Sequence, residues 1–249
     1  MKKMRWGIFL LCCLLAFACC AFAEESAQEG RKVVYLTFDD GPKSDTLELL
    51  KILREENVPA TFFFVGKKVR LFPEEARQVY LEGHAIGSHT MKHSSKTLKV
   101  SQLYVEKDYR EFLEVMREVV DPEFTTDIFR FPGGSTGYSR ESHKWVRNAG
   151  LAWFDWNAMT ADTEAGKTAK DLYDFAVKTT ADEEVVILLA HEGIKRTQQI
   201  LPDLIAFYRE NGYEFRTMTT SEEDRALYAR CPANMMLPPV EAAGTEETL

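Results

Sequence analysis

Seven apolar segments that alternate with helical patterns constrain the fold of this chain more than any other feature of its sequence. The first, residues 33–38, is rich in β-branched and aromatic side chains, as expected of a buried strand. The remaining apolar segments lie at residues 60–65, 85–88, 127–131, 151–157, 185–190 and 213–218. Segments with apolar residues at helical spacing lie between them, at residues 46–57, 73–82, 101–120, 139–149, 169–180 and 198–211.

This alternation predicts a parallel sheet with helices packed against it, which is the α/β class. Seven strand–helix units suit a closed or nearly closed TIM-like barrel better than a doubly wound open sheet, although strand order is not visible in a sequence. A hydrophobic fraction of 45% over 249 residues is sufficient for a sizeable core. No internal repeat is evident, so we expect a single domain over residues 32–220.

The first 23 residues have the pattern of a signal peptide. Positive charges precede an apolar run at residues 8–20, and an Ala-Phe-Ala sequence at residues 21–23 fits a cleavage site. The run is short for a membrane span, which needs about 20 apolar residues. We therefore expect a secreted or envelope-associated protein with no membrane span after cleavage. A retained anchor, or a lipoprotein acylated at Cys19 or Cys20, stays open as an alternative.

Composition limits what stabilises the mature chain and what it binds. Four of the five cysteines lie in the leader, so cleavage leaves Cys231 alone and no internal disulfide can form. The formal net charge of −8 argues against a nucleic-acid partner, because phosphate binding needs a basic surface. We interpret residues 24–31 as a polar linker and residues 221–249, which show little periodicity, as a flexible tail. We expect a monomer.

Residues capable of metal and acid–base chemistry collect where the predicted strands end. The first strand ends in Asp39 and Asp40, the third runs into His89 and His93, and the sixth ends in His191. Further polar and aromatic candidates after strand ends are Arg130, Asp155, Trp156 and Asp162. Because the carboxyl ends of parallel strands meet at one rim, these side chains predict a single reactive site there.

The histidine spacing predicts a metal site. His89 and His93 are four residues apart, which suits two ligands of one ion on a helical turn. A carboxylate from Asp40 completes a set of two histidines and one aspartate, which leaves coordination positions open for water and substrate. Asp39 and Asp40 are neighbours and cannot both point the same way from a strand. One of them can therefore bind metal while the other acts as a base.

Other side chains of the rim suggest supporting roles. His191 is a candidate general acid for a departing amine. The Arg130 guanidinium could hold the base carboxylate in its ionised form and orientation. The glycines at 133–134 allow a ligand to approach the backbone closely. His84 and His143 lie away from the strand ends, and we interpret them as structural or solvated.

Taken in order, these residues resemble the motifs of the polysaccharide deacetylase family (NodB homology domain, carbohydrate esterase family 4). The resemblance extends over about residues 32–220, nearly the whole mature chain. The matching segments are Thr37–Pro42 for the first motif, Ser88–His93 for the second, Arg130–Gly134 for the third and Leu189–His191 for the fifth.

The resemblance implies a distorted (β/α)7 barrel and one divalent ion, with Zn²⁺ or Co²⁺ as the expected metal. It assigns Asp39 as the catalytic base, which Arg130 orients. The metal ligands that it assigns are Asp40, His89 and His93. It also implies that His191 is the general acid and that Leu189 lines a pocket for the acetyl group.

The sequence departs from the family pattern at two places. Gly133 stands where the third motif usually has Tyr; the resemblance implies that its backbone N–H helps bind the oxyanion, and that donor remains. The fourth motif usually reads Asp-Trp, and two aspartates compete for it. We favour Asp162 as the residue that orients His191 and Trp156 as a groove or core residue, with Asp155 as the rival for the same task.

The expected function is therefore metal-dependent hydrolysis of N-acetyl groups on a cell-wall polysaccharide, either peptidoglycan or a chitin-like polymer. The partner is an N-acetylated glycan, and acetate is released. An O-acetyl esterase or another small-amide hydrolase would use the same site. A non-catalytic glycan-binding relative is less compatible with a sequence that retains both Asp39 and His191.

Overall fold

The structure is a computed structural model that describes residues 30–239. Nearly all of the described residues belong to one compact unit that begins at Val33. The predicted signal peptide, residues 1–23, lies outside the described residues, as do most of the predicted linker and residues 240–249. Within residues 30–239, no helix combines the length and the apolarity that a bilayer crossing requires.

Nine strands and nine helices are found in residues 30–239. The strands are β1 Lys32–Gly41, β2 Thr61–Phe64, β3 Ala85–Ser88, β4 Ile128–Phe129, β5 Ala152–Phe154, β6 Ala158–Met159, β7 Val185–His191, β8 Tyr213–Phe215 and β9 Met235–Met236. The helices are α1 Thr46–Glu55, α2 Gly66–Leu71, α3 Pro73–Leu81, α4 Ser95–Leu98, α5 Gln102–Val119, α6 Arg140–Asn148, α7 Ala169–Thr180, α8 Lys195–Glu210 and α9 Glu222–Tyr228.

The strands form one sheet in the order β6-β7-β1-β2-β3-β4-β5-β9, and β8 pairs with β1. Every neighbouring pair from β6 to β5 is parallel, whereas β9 runs antiparallel to β5. Among the described strands, β6 and β9 end this order without pairing with each other. The fold is thus a distorted barrel of parallel strands and helices, as predicted, in which strand pairing does not complete the circle.

The central strands are buried on both faces, which explains their nearly continuous apolar sequences. On β1, Val34 and Leu36 pack in the larger cluster, which includes residues of α1, α3 and α5, whereas Val33 and Tyr35 pack in a second, smaller cluster. Strand β7 alternates in the same way between the two clusters. This arrangement makes both strands a rigid base for the residues at their carboxyl ends.

Strand register brings the predicted site residues together. Asp39 is aligned with His191 in the β1–β7 pair. The register of β1 against β2 shifts between Asp39 and Gly41, as at a β-bulge. The Arg130 N–H, just beyond β4, donates to the carbonyl of Ser88 at the end of β3, with N···O 2.9 Å. The ends of β1, β3, β4 and β7 therefore converge on one rim.

The prediction of a flexible tail from residue 221 is wrong for residues 222–236. Ser221 caps α9 by accepting a hydrogen bond from the Asp224 N–H, and Leu227 and Tyr228 of that helix are buried. Strand β9 then pairs with β5. The segment is ordered because a few of its apolar residues pack in the second cluster. These residues are too few to produce a periodic pattern in the sequence.

Smaller differences concern short elements. The strand predicted over residues 151–157 is confined to β5, and the separate short strand β6 follows it. Helices α2 and α4 were not predicted, and α8 begins at Lys195 rather than at residue 198.

Candidate active site

Arg130 and Asp39 form a buried ion pair at the centre of the rim. Nη1 of Arg130 donates to Oδ1 of Asp39 at 2.8 Å and to Oγ1 of Thr37 at 2.7 Å. Its Nε donates to the Phe154 carbonyl at 3.0 Å, and the guanidinium lies 4.0 Å from the ring centroid of Phe63. A buried charge needs such a partner, and these contacts fix the Asp39 carboxylate in one orientation.

Asp40, His89 and His93 form a cluster that fits a metal ion. Their donor atoms all lie within 4.8 Å of one another. Oδ1 of Asp40 is 3.3 Å from Nε2 of His93 and 3.8 Å from Nε2 of His89. One carboxylate and two imidazoles are a donor set that suits a divalent ion such as Zn²⁺ or Co²⁺.

The hydrogen bonding of His89 leaves its Nε2 free to bind a metal ion. Its Nδ1 is 2.9 Å from the carbonyl oxygen of Arg130. A carbonyl only accepts, so Nδ1 carries the proton and the Nε2 lone pair faces Asp40. Burial lowers the pKa of His89, which favours the neutral imidazole that a metal requires.

The backbone bends between the two neighbouring aspartates. Asp40 has a φ of 70°, in the left-handed region, directly at the register shift. As a result Asp39 faces Arg130 while Asp40 faces the two histidines. Burial raises the pKa of the Asp40 carboxyl, but the nearby His89, His93, Lys68 and His191 together lower it more, so that the pKa lies below its ordinary value.

His191 and Asp162 form the third part of the site. Nδ1 of His191 donates to Oδ1 of Asp162 at 2.7 Å, and the His191 N–H donates to Oδ2 at 2.8 Å. Thr197 also donates to Oδ2, at 2.7 Å. Burial lowers the pKa of His191, but the hydrogen bond and charge of Asp162 outweigh it and raise the pKa above its ordinary value. The free Nε2 of a protonated His191 can therefore donate a proton.

Asp155, the rival for that task, has other partners. Its Oδ1 accepts from the Ser135 N–H at 2.8 Å, and its Oδ2 accepts from the Ser135 hydroxyl at 2.7 Å. Nδ2 of Asn234 lies 3.4 Å from the same Oδ2. The structure thus places Asp162, and not Asp155, against His191.

The remaining predicted residues lie around these groups. Gly133 is exposed with a φ of 74°, and a Cβ added there would meet no atom within 4 Å, so its backbone is open to a ligand. Leu189 is buried at the end of β7. Trp156 is half-buried against the second cluster, with its ring centroid 5.8 Å from Cζ of Arg130.

Two buried acids near the site were missed by the sequence analysis. Asp108 on α5 accepts a hydrogen bond from the Met91 N–H, within the segment that carries His89 and His93. Glu192 follows His191 and accepts a hydrogen bond from the Thr46 hydroxyl. The adjacency of Glu192 to His191 was the only signal in the sequence, and nothing marked Asp108 among the charged residues of a long helix.

The two histidines interpreted as structural or solvated do lie outside the cluster. Nδ1 of His84 accepts from the Ala60 N–H at 3.1 Å, and burial lowers the pKa of its ring. His143 packs on Phe131 and lies 2.9 Å from the Ser139 carbonyl through its Nδ1.

Solved structures share this fold. A polysaccharide deacetylase from Bacillus cereus superposes with a TM-score of 0.71 at 28% sequence identity, covering 78% of this chain and 94% of that structure. A family 4 carbohydrate esterase from Streptococcus mutans also gives a TM-score of 0.71, at 25% identity, with 77% of this chain and 90% of that structure covered.

Sequence comparisons identify the family. A peptidoglycan-N-acetylglucosamine deacetylase of Bacillus cereus is 30% identical over 196 residues, which cover 74% of this chain and 68% of the relative. A chitooligosaccharide deacetylase of Rhizobium leguminosarum bv. trifolii is 30% identical over 211 residues, covering 84% and 88%. Residues 26–154, just over half of the chain, match the family described as polysaccharide deacetylase. The chain therefore belongs to the polysaccharide deacetylase family, carbohydrate esterase family 4.

Proposed function

We propose that this protein is a secreted, metal-dependent N-deacetylase that releases acetate from an N-acetylated cell-wall polysaccharide. The observation that carries the proposal is the position of Asp39 between the other two parts of the site. Its Oδ2 lies 3.6 Å from Nε2 of His89, and it is the register partner of His191. A base, a set of metal ligands and an acid therefore surround one space at the rim.

Asp40, His89 and His93 would hold the ion. When bound, a divalent ion supplies Lewis-acid polarisation of the acetyl carbonyl and lowers the pKa of water at the site. Asp39 accepts the proton of the attacking water, and the Arg130 guanidinium keeps its carboxylate in place.

The groups on the other side complete the hydrolysis. As water attacks the carbonyl carbon, the Gly133 N–H donates a hydrogen bond to the negative charge that develops on the carbonyl oxygen. His191 gives its proton to the departing nitrogen, and Asp162 holds the imidazole in the required tautomer. Leu189 lines the space for the acetyl methyl group. The products are acetate and a free amino sugar.

The relatives support the substrate class. One is named for N-acetylglucosamine in peptidoglycan and the other for chitooligosaccharide. We infer an N-acetylated glycan as substrate, Zn²⁺ or Co²⁺ as the metal, and a monomer at the cell envelope.

Acetate release by the purified protein tests the proposal. We would compare peptidoglycan and chitooligosaccharides, with and without a chelator, in the wild type, in Asp39→Asn, and in Asp203→Asn as an exposed control. We expect chelator-sensitive release that Asp39→Asn abolishes and Asp203→Asn retains. Release that survives in metal-free buffer would overturn metal dependence. Activity confined to O-acetylated glycans would instead identify an esterase.

A further inference from the structure

A polar network links the loop after β4 to the C-terminal part of the chain. We call Asp155, Ser135 and Asn234 the Asp155 network. The Asp155 carboxylate accepts both the N–H and the hydroxyl of Ser135. Nδ2 of Asn234 donates to the Ser135 hydroxyl at 2.7 Å. The network joins residues that are 20 and 99 positions apart in the sequence.

The loop held by this network carries the exposed backbone of Gly133. Gly133 and Gly134 both have positive φ, at 74° and 86°. Two successive glycines lose much conformational freedom when they are fixed, so a loop of this kind needs anchors. One anchor is the Gly134 N–H, which donates to the Phe131 carbonyl at 2.9 Å. Ser135, which is buried, is the anchor at the far end.

Asp155 is also tied to the residue that orients the base. Nη2 of Arg130 lies 3.3 Å from the Asp155 carbonyl, and Nε of Arg130 donates to the preceding carbonyl, that of Phe154. The backbone of Asp155 thus contacts the guanidinium, while its side chain contacts the loop of Gly133. One residue sets the relative position of both.

Residues 222–236, which we call the C-terminal segment, fix the position of Asp155 in turn. The Asp155 N–H donates to the Asn234 carbonyl at 2.8 Å, and β9 continues this pairing with Met235 opposite Phe154. Asn234 therefore contacts Asp155 through its backbone and Ser135 through its side chain.

We propose that Asp155 and Asn234 are positioning residues that hold the Gly133 N–H against the developing oxyanion, so that the C-terminal segment completes the active site. This inference rests on the proposed function, because it assigns the network to the oxyanion donor of that reaction. The network contacts neither the metal ligands nor His191, so it acts on the transition state without altering metal binding.

The test uses Asn234→Ala in the full-length protein. We would measure kcat and KM for acetate release, the affinity for Zn²⁺ alone, and the melting temperature. We expect kcat to fall by about tenfold, because a small displacement of a donor costs up to about 100-fold in rate. We expect KM, Zn²⁺ affinity and melting temperature to stay close to those of the wild type. Asn148→Ala, on the exposed end of α6, is the matched control.

A double-mutant cycle with Ser135→Ala separates positioning from general support. Because both side chains act through one loop, the double variant should lose little more kcat than the worse single variant. Multiplicative losses would overturn the inference, as would an Asn234→Ala variant with unchanged kcat beside an active wild type. A loss of Zn²⁺ affinity or stability that accounts for the lower rate would also overturn it. A wild type that releases no acetate from any acetylated glycan would overturn the proposed function itself.

Discussion

At the scale of single residues, the candidate site depends on which partner each aspartate side chain contacts. Residue type at strand ends was sufficient to predict that Asp40, His89 and His93 lie together, as they do in the structure. The pairing of Arg130 with Asp39 rather than Asp40 followed from the family resemblance, and the structure has this contact. The sequence favoured Asp162 over Asp155 as the partner of His191 but did not exclude Asp155. Both follow β5 closely, and which of them reaches His191 depends on the path of the chain between β5 and β7.

The pair of His191 and Asp162 gives a prediction about pH. Burial lowers the pKa of His191, and Asp162 raises it above its ordinary value. Asp162→Asn keeps the shape but removes the charge, so the pKa of His191 should fall. Since the reaction needs the protonated imidazole, the alkaline limb of kcat should move to lower pH. At neutral pH, kcat should fall by at least about tenfold.

A kcat profile from about pH 5 to pH 10 measures this shift. Asp203→Asn, an exposed carboxylate on α8, is the control and should leave the profile unchanged. An alkaline limb that stays in place, or moves to higher pH, in Asp162→Asn would contradict the assignment of His191 as the acid.

At the scale of elements, Glu192 connects the end of β7 to the start of α1. Its side chain lies beneath the turn that follows β1, and a Cβ at Gly41 would overlap its carboxyl group. The Thr46 hydroxyl donates to Oε2 and accepts from the Lys43 N–H at 2.9 Å. Oε1 has no hydrogen-bond partner among the described residues. Burial in this position raises the pKa of Glu192 to about 8.

This raised pKa predicts how stability depends on pH. The folded chain retains a proton on Glu192 that the unfolded chain releases, so the contribution to stability is complete at low pH. It is lost as the pH rises toward about 8. Glu192→Gln cannot ionise. Between about pH 5 and pH 8, the melting temperature of the wild type should therefore fall more than that of the variant.

The comparison is best made on metal-free protein, so that loss of metal does not contribute. Glu210→Gln, at the exposed end of α8, should follow the wild type. If the melting temperatures of the wild type and Glu192→Gln fall equally as the pH rises, Glu192 ionises in the folded state as it does in the unfolded chain, and the prediction is wrong.

Element length determined which parts of the fold were predictable. The long helices α5 and α7 and the buried strands β1 and β7 follow from periodicity and apolar runs. Helices α2 and α4 have six and four residues, and β6 and β9 have two each. Segments of this length contain less than two helical turns or one strand repeat, so they show no periodicity in the sequence. They form because of their tertiary contacts.

At the scale of the whole molecule, the C-terminal segment covers one side of the interior. Leu227 and Tyr228 are buried in the second cluster, and the Tyr35 hydroxyl donates to Asp224 of the same helix at 2.8 Å. A tail is predicted for these residues because Pro, Ala, Glu and Thr are frequent there and periodicity is weak. Burial of a few side chains was enough to order the segment.

Removal of residues 221–249 should therefore destabilise the fold. Burial of a large apolar or aromatic side chain contributes about 1.5–3 kcal/mol, and two such side chains would be lost with α9. We expect a large decrease in the denaturant midpoint, or an insoluble product. Removal of residues 240–249 alone is the control. A chain that ends at residue 220 and unfolds at the wild-type denaturant concentration would contradict this role.

Strand β9 also has a consequence for the order of events during synthesis. Until Met235 and Met236 are made, β5 presents a row of unpaired backbone donors and acceptors at the margin of the sheet. Such a margin can recruit a strand from another copy of the chain, and short antiparallel cover is one way in which proteins prevent it. Strand β9 follows all of the parallel strands in the chain, and it thus protects the margin of a sheet whose parallel strands have already been made.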